Sequence, residues 1–341
     1  MLKKYKSGIL AIIILAVLIT SMALLSLSSM PASYVWVMDK GARLNQTYLV
    51  KMCSSGKRIL EVPFEWSTVL GVDQRDGSVW APESNGVDQI VHIDANGKIL
   101  NRYIGYRTHV IAFDSNSGSL WVGSGPIVKL NSNGESLRNT GFFYAQSIAV
   151  DPRDGSIWIA DGYPNGDLVH LNANGIELLR INADGGFYTD DPHQVVVDPV
   201  DGDVWYGNGI KIRKRTSTGR LLATIGGFNE PVSVSINPAN GDVWVADYSI
   251  GTSWAVVRLD SDGKLIQRIS LDQPPHIAMF NPYDGTVWVG VDGALLKLSE
   301  KGQVLGTLTG FTTPASIGFM QIPDNLMAKL QYFITCMSNQ K

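Results

Sequence analysis

Cysteine is scarce in this chain, whose 341 residues contain only Cys53 and Cys336. Two cysteines are too few for a disulfide framework or for a thiolate metal site. An excess of one charge is also lacking, because 28 basic residues stand against 31 acidic residues. Nucleic-acid binding needs a basic face, so we expect no nucleic-acid partner.

Motifs with a known catalytic mechanism are missing as well. The sequence has no G-x-S-x-G nucleophile elbow, no H-E-x-x-H zinc pair and no glycine-rich phosphate loop. Paired aspartates occur in segments such as Asp151–Gly155, but the distant glutamate of an EF-hand calcium loop does not follow them. We interpret these segments as turns. A binding role and a catalytic role both stay open.

One long uncharged run stands near the N-terminus, at Gly8–Leu27, after Lys3, Lys4 and Lys6. A run of twenty residues is long enough to cross a bilayer as a helix and is longer than the core of most signal peptides. We predict that residues 1–30 form a cytoplasmic stub and a signal-anchor helix. The positive-inside rule then places the rest outside the cytoplasm, as a single-pass membrane protein, or as a secreted protein if the run is cleaved at the small residues that follow.

A motif of an apolar strand, a tight turn and a tryptophan strand recurs about every 40 residues, as in QSIAVDPRDGSIWIAD from Gln146. Two further strands and a glycine turn follow each tryptophan strand. This pattern predicts an all-β fold, a seven-bladed β-propeller of four-stranded blades over residues 31–321. The recurring tryptophans should pack between blades; they are Trp36, Trp80, Trp121, Trp158, Trp205, Trp244 and Trp288.

The two ends of the repeat region are each incomplete. The first unit, from Tyr34, has no inner strand, and the last inner strand, Ala315–Gln321, has no second strand after it. We predict that these strands pair and close the ring, which removes the open edges. Inner strands then run from a face that we call the top to the bottom face, and the chain enters at the bottom.

Residues 322–341 are predicted to form a short amphipathic helix. Its apolar stripe should pack on the bottom of the ring, with a membrane-surface helix as the alternative. The stripe consists of Leu326, Met327, Leu330, Phe333, Ile334 and Met337. Topology brings Cys53 and Cys336 under the same blade, where a disulfide and two separate thiols both remain open.

Residues 34–321 resemble NHL-type propeller repeats and the seven-bladed streptogramin lyase group. The resemblance is carried by the D-P-x-x-G-x-(V/I)-W-(V/I)-A-D pattern and by an acidic residue just after the tryptophan strand. Those acidic residues are Asp39, Glu83, Asp161 and Asp247. They are candidates for binding a ligand, and the alternative is a local bond to backbone N–H groups of the following loop.

Three histidines, His109, His193 and His276, share one repeat position where an inner strand begins. Three imidazoles around a channel mouth can hold Zn²⁺ and leave one position open for substrate. The similar peptidylglycine amidating lyases use three channel histidines in this way, which implies a metal role here for Zn, or for Ca or Mg if the acidic residues take part. The alternative is that histidine is simply a common residue at this position of the repeat and binds no metal.

The top face also carries aromatic residues in its entry loops. We predict a ligand site there, formed by Trp66, Tyr144, Tyr188, Glu83, Asp161 and Asp247. The expected function is a ligand- or protein-binding module that acts through its top face, with a protein, a small molecule or a glycan as the partner. The alternative is a metal-dependent lyase or hydrolase with the three histidines at its centre.

Overall fold

The structure is a computed structural model, and it describes residues 33–337 except 44–45, 107, 124, 143, 163–165, 183–191, 250 and 252, and the side chains of residues 142, 192 and 193. The predicted membrane helix at Gly8–Leu27 lies outside the described residues. Within the described part of the chain, no helix has the length and apolar character needed to cross a bilayer.

Seven antiparallel sheets of four strands form the blades, as the repeat predicts. The inner strands are β28 (Thr313–Gln321), β4 (Gly71–Val72), β8 (Val110–Asp114), β12 (Ala145–Val150), β16 (Pro192–Val197), β20 (Glu230–Ile236) and β24 (Pro275–Asn281). The second strands are β1 (Ser33–Lys40), β5 (Val79–Ser84), β9 (Ser119–Gly123), β13 (Ile157–Asp161), β17 (Val204–Asn208), β21 (Val243–Tyr248) and β25 (Thr286–Val291).

The third strands are β2 (Thr47–Cys53), β6 (Asp88–Ile93), β10 (Pro126–Leu130), β14 (Asp167–Leu171), β18 (Lys211–Arg215), β22 (Ala255–Leu259) and β26 (Ala294–Leu298). The outer strands are β3 (Arg58–Phe64), β7 (Ile99–Ile104), β11 (Ser136–Phe142), β15 (Glu177–Asn182), β19 (Leu221–Ile225), β23 (Leu265–Ser270) and β27 (Val304–Thr309). Blade 1 joins β28 to β1–β3, and blades 2 to 7 follow in chain order.

The ring closes as predicted, because β28 pairs with β1. Tyr34 lies opposite Met320, and Val37 lies opposite Ile317. Neighbouring inner strands contact one another in a complete circle, including the contacts of β4 with β28 and with β8. Strand β1 is therefore paired on both sides at the point where the two ends of the chain meet.

Each tryptophan of the repeat is buried, also as predicted. A basic side chain of the third strand lies over its ring in every blade, which contributes a cation–π or stacking contact. These side chains are Lys51, His92, Lys129, His170, Lys214, Arg258 and Lys297. The lysine and arginine heads reach a backbone carbonyl of the next blade, whereas His92 and His170 stack flat on the indole.

Bonds between inner strands tie blades 4 to 7 together. In each, an inner-strand side chain accepts a hydrogen bond from a backbone N–H of the next blade: Ser147 from Val195 (3.2 Å), Gln194 from Val234 (2.6 Å) and Ser233 from Ala278 (3.1 Å). In blade 2 the residue equivalent to Ser147 is Val69. Each lies two residues before the residue that pairs with the tryptophan of its blade, which is Ala149 in blade 4 and Gly71 in blade 2. An apolar side chain cannot make the bond.

The C-terminal helix α1 (Leu326–Met337) is present, and a Cys53–Cys336 disulfide joins it to β2 with Cα atoms 5.9 Å apart. The structure thus has the disulfide rather than two thiols. The helix packs on the bottom of the ring as predicted, but its apolar stripe does not face the ring. Met327 and Met337 are 74% and 64% exposed, because the side of α1 that meets the ring is its polar side.

Candidate functional site at the top of blades 2 and 3

The central channel forms a cavity of about 510 Å³, lined by all seven inner strands or their entry loops. Its walls are largely apolar, with valine and isoleucine from most blades. The polar side chains on the lining are His109, Gln146, Ser147, Gln194 and Ser316. Such a channel offers few groups for acid–base chemistry or for a highly charged ligand.

The position shared by the three histidines is a β-bulge in five of the seven blades, but not at His109, which precedes β8 without a register shift. The register shifts by one residue at the start of β12, β16, β20, β24 and β28, where Gln146, the His193–Gln194 pair, Val232, His276 and Ala315 lie. A bulge bends the strand and redirects the side chain of its extra residue. A shared repeat position therefore does not by itself aim these side chains at the channel axis.

The two histidines with described side chains differ in their surroundings. His109 is exposed at the channel mouth and lines the channel cavity. His276 Nε2 lies 2.7 Å from Asp292 Oδ1, so this histidine is paired with a carboxylate of its own blade. The side chain of His193 lies outside the described residues. Within the described part of the chain, no three His, Cys, Asp or Glu side chains are grouped as metal ligands, and the three-histidine site stays a prediction.

A second cavity, which we call the rim pocket, opens at the top between blades 2 and 3 and has a volume of about 410 Å³. It is lined by Trp66, Thr68, Pro82, Glu83, Ser84, Asp88, Tyr106, Thr108 and His109. Because His109 lines both cavities, the rim pocket adjoins the channel mouth. The pocket brings together Trp66 and Glu83, which were predicted as ligand residues, and His109, which was predicted as a metal ligand.

Trp66 has an unusual backbone. Its φ of 55° lies in the left-handed region, and it is the one non-glycine residue with a positive φ in the described part of the chain. For a bulky side chain this conformation costs on the order of 1–2 kcal/mol. The indole is nevertheless 52% exposed, so packing offsets little of that cost. Strain of this kind clusters at functional sites.

The acidic wall of the rim pocket contains two carboxylates with different partners. Glu83 is buried and accepts hydrogen bonds from Gln89 Nε2 (2.9 Å) and from the Arg102 guanidinium, which balances its charge. Asp88 accepts a hydrogen bond from the Ser84 hydroxyl at 2.9 Å, a contact that leaves its negative charge in place. Asp88 is therefore the carboxylate better suited to meet a ligand hydroxyl or cation in the pocket.

The other acidic residues after tryptophan strands hold loops in place. Asp161 accepts from the Tyr144 N–H at 2.8 Å, and Asp247 accepts from the Asn229 and Glu230 N–H groups at 2.8 and 3.0 Å. Asp39 accepts in the same way from the Thr312 and Thr313 N–H groups, where β28 begins. Burial raises the pKa of Asp161, although the Tyr144 N–H bond and Arg180 oppose the rise. These acidic residues therefore have the structural role that was the alternative to ligand binding. The N–H groups that they bind belong to the loop that enters the inner strand, and not to the loop that follows the tryptophan strand, because the entry loop lies beside the end of the second strand.

The remaining predicted residues are dispersed around the rim. Tyr144 is exposed at the start of blade 4, next to blade 3 but not among the residues that line the rim pocket, and Tyr188 lies outside the described residues. The paired aspartates form turns as expected, with Asp151 Oδ1 accepting from the Arg153 N–H at 2.9 Å. Sequence analysis missed Tyr106 and Asp88. An aromatic residue in an entry loop is a signal that would have found Tyr106.

Comparisons with known proteins bear on the fold alone. No protein-family model matches the chain, and no curated protein matches it. Among solved structures, the chain is similar to one described as Kuenenia stuttgartiensis hydrazine synthase, with a TM-score of 0.64 and 11% identity. The match covers 76% of this chain and 96% of that one. At this identity the likeness shows that the chain is a β-propeller, a fold that carries many functions.

Proposed function

We propose that this chain is an exported, membrane-anchored β-propeller that binds a ligand in the rim pocket on its top face. The observation that carries the proposal is Trp66, a bulky residue in a strained left-handed conformation with half of its indole exposed. Folding gains little from this arrangement. A requirement to present the indole face at the pocket explains it.

The lining of the rim pocket favours a small polyhydroxylated ligand such as a glycan. An exposed indole stacks on the apolar face of a sugar ring, and the hydroxyls of Thr68, Tyr106 and Thr108 and the carboxylate of Asp88 supply hydrogen-bond partners around it. A volume of about 410 Å³ suits a small molecule.

Separate observations support the proposed cellular location and the proposed family. The lysines and the apolar run Gly8–Leu27 support a signal-anchor, and the Cys53–Cys336 disulfide supports export because such bonds persist in oxidising compartments. The tryptophan-strand pattern supports kinship with NHL-type and streptogramin-lyase-like propellers.

A glycan array and a small-molecule screen with the purified protein test the proposal. Once a ligand is found, Trp66→Ala should weaken its binding by about fivefold to a hundredfold, since a stacking contact with an aromatic ring contributes about 1–3 kcal/mol. Tyr144→Ala removes an equally exposed aromatic on blade 4 and should leave affinity unchanged. Loss of binding in Tyr144→Ala with Trp66→Ala unaffected would place the site elsewhere on the rim. Exclusive binding of protein partners would contradict the glycan class.

A metal-dependent lyase or hydrolase is the second candidate function, favoured by one observation. His109, one of the three histidines predicted as metal ligands with His193 and His276, lies on the wall that the rim pocket and the channel share. A divalent ion held there would supply Lewis-acid chemistry. Elemental analysis of the purified protein decides: stoichiometric Zn, Ca or Mg that is lost in His109→Ala supports this function, and a metal-free protein contradicts it.

A further inference from the structure

Helix α1 is held to the bottom of the ring by its polar side. Tyr332 Oη lies 2.8 Å from Ser54 Oγ and donates to the Ser33 carbonyl at 3.1 Å. The Lys57 ammonium donates to the Thr335 carbonyl at 2.6 Å, and Cys336 forms the disulfide with β2. These contacts fix the rotation of the helix about its axis.

The apolar side of α1 faces away from the ring. At about 100° per residue, Leu326, Met327, Ile334 and Met337 lie on one side of the helix, roughly opposite Tyr332 and the disulfide. Their exposed fractions run from 45% to 74%. The helix thus presents four large apolar side chains outward, which a soluble surface helix seldom does.

The chain enters the ring at the same place. Ser33, the first residue of β1, accepts the hydrogen bond from Tyr332 of α1. Residues 28–32 separate it from the apolar run Gly8–Leu27, and five residues span at most about 17 Å. A bilayer that holds the run must therefore lie close to α1.

The channel opens on this face through an apolar mouth. A cavity of about 290 Å³ is lined there by the turn prolines Pro152, Pro199, Pro238 and Pro282, together with Phe113 and Met279 among others. The exposed side chain of Val200 belongs to the same set of turns. The bottom face thus has apolar surface beyond α1, as a face set against lipid would.

We propose that α1 is an interfacial helix that docks the bottom face of the propeller on the bilayer, with Leu326, Met327, Ile334 and Met337 inserted among the lipids. The inference rests on the proposed membrane anchor, which brings the bilayer within reach. Docking at a second point fixes the ring, so that the top face with its rim pocket points away from the membrane. The disulfide keeps the helix in the orientation that lipid contact needs.

Photo-cross-linking in phosphatidylcholine nanodiscs tests the docking with the full-length chain. A photoreactive amino acid is placed at Met327, at Ile334, at Leu18 in the apolar run, or at Ile104, which is equally exposed but at the top of β7. Retention of the Cys53–Cys336 disulfide in each protein verifies that α1 is still attached. We expect lipid adducts at Met327, Ile334 and Leu18 and none at Ile104.

The outcomes separate the docking from the anchor. Lipid adducts at Leu18 without adducts at Met327 and Ile334 would overturn the docking and leave the anchor intact. Adducts at Met327 and Ile334 without one at Leu18 would support the docking and contradict the anchor. Cross-links from Met327 to a second copy of the chain, in place of lipid, would overturn the docking in favour of self-association.

Discussion

The interface between blades 6 and 7 and the interface between blades 2 and 3 are built from the same repeat but are joined differently. Across the first, Ser233 and Ser235 accept from the Ala278 and Phe280 N–H groups, and Arg258 donates to the Glu300 carbonyl. Across the second, an apolar cluster around Trp80 and Leu120 does most of the joining, and Arg75 donates to the Gly118 carbonyl at the bottom.

Two cavities open beside the blade 2–3 interface. The rim pocket and a neighbouring cavity of about 330 Å³ both open at the top of blades 2 and 3. The inner strand of blade 2 has only two residues, and His92 Nε2 finds no hydrogen-bond partner in the described part of the chain. The comparison shows that the blade 2–3 interface, beside the rim pocket, is joined mainly by apolar packing, whereas the blade 6–7 interface adds hydrogen bonds between inner strands.

The largest expected effect tests the shared apolar packing. Trp244→Ala in blade 6 and Trp80→Ala in blade 2 should each lower the free energy of unfolding by about 3–5 kcal/mol, the range for a large aromatic in a packed core. Urea unfolding of the two variants measures this. A loss below about 1 kcal/mol in Trp80→Ala alone would mean that the blade 2–3 interface is not packed like the others.

Each hydrogen bond between inner strands should contribute less to the free energy of unfolding than a packed tryptophan does. Ser233→Ala leaves the Ala278 N–H buried without its acceptor, which costs about 1–3 kcal/mol. Ser115→Ala, at an exposed turn of blade 3, is the control and should change stability by less than about 0.5 kcal/mol. Equal losses of stability in the two variants would contradict the claim that hydrogen bonds between inner strands distinguish the blade 6–7 interface from the blade 2–3 interface.

A difference of about 1 kcal/mol is expected at Trp66. Trp66→Gly and Trp66→Ala both remove the indole, but only glycine adopts a positive φ without strain. Trp66→Gly should therefore be the more stable of the two by thermal unfolding, while both lose ligand binding. Equal stability would show that the left-handed backbone carries no strain.

The smallest expected effect is a pH dependence confined to blades 2 and 4. Burial lowers the pKa of His92 and His170, which stack on tryptophans where the other blades have lysine or arginine. Because the unfolded chain takes up protons near pH 6.5 and the folded histidines do not, their contribution to stability is complete above that pH and falls as the pH drops through it. Urea unfolding at several pH values should show a weaker acid loss in the His92→Gln and His170→Gln double variant. Parallel curves for variant and wild type would contradict this.

The fold was predictable because every blade carries the same local sequence pattern. The tryptophan strand, the glycine turns and the complementary ends of Tyr34 and Ala315–Gln321 are local patterns that fix pairing and closure. The rim pocket was not predictable in the same way, since it arises where blade 2 departs from the repeat. Trp66 and Glu83 were found as separate signals, but their meeting with His109 depends on loop geometry that no periodic pattern encodes.

Two particular failures have physical causes. The stripe of α1 has the spacing of a ring-packed helix, but the Tyr332 contacts and the disulfide turn it outward. The acidic residues after the tryptophan strands were paired with the following loop, whereas antiparallel pairing sets them beside the preceding one, as Asp161 shows at Tyr144. Sequence separation indicates neither of these contacts.

Hydrogen–deuterium exchange of the protein, alone and with the ligand from the screen, tests the central claim most directly. In the free protein, the N–H groups of β5, β6 and the loop before β8 should exchange faster than the Ala278 and Phe280 N–H groups of blade 7. Adding ligand should protect the segments around Trp66, Asp88 and His109 and leave blades 5 to 7 unchanged. Uniform exchange around the ring, or ligand protection confined to other blades, would contradict a binding site at the interface of blades 2 and 3.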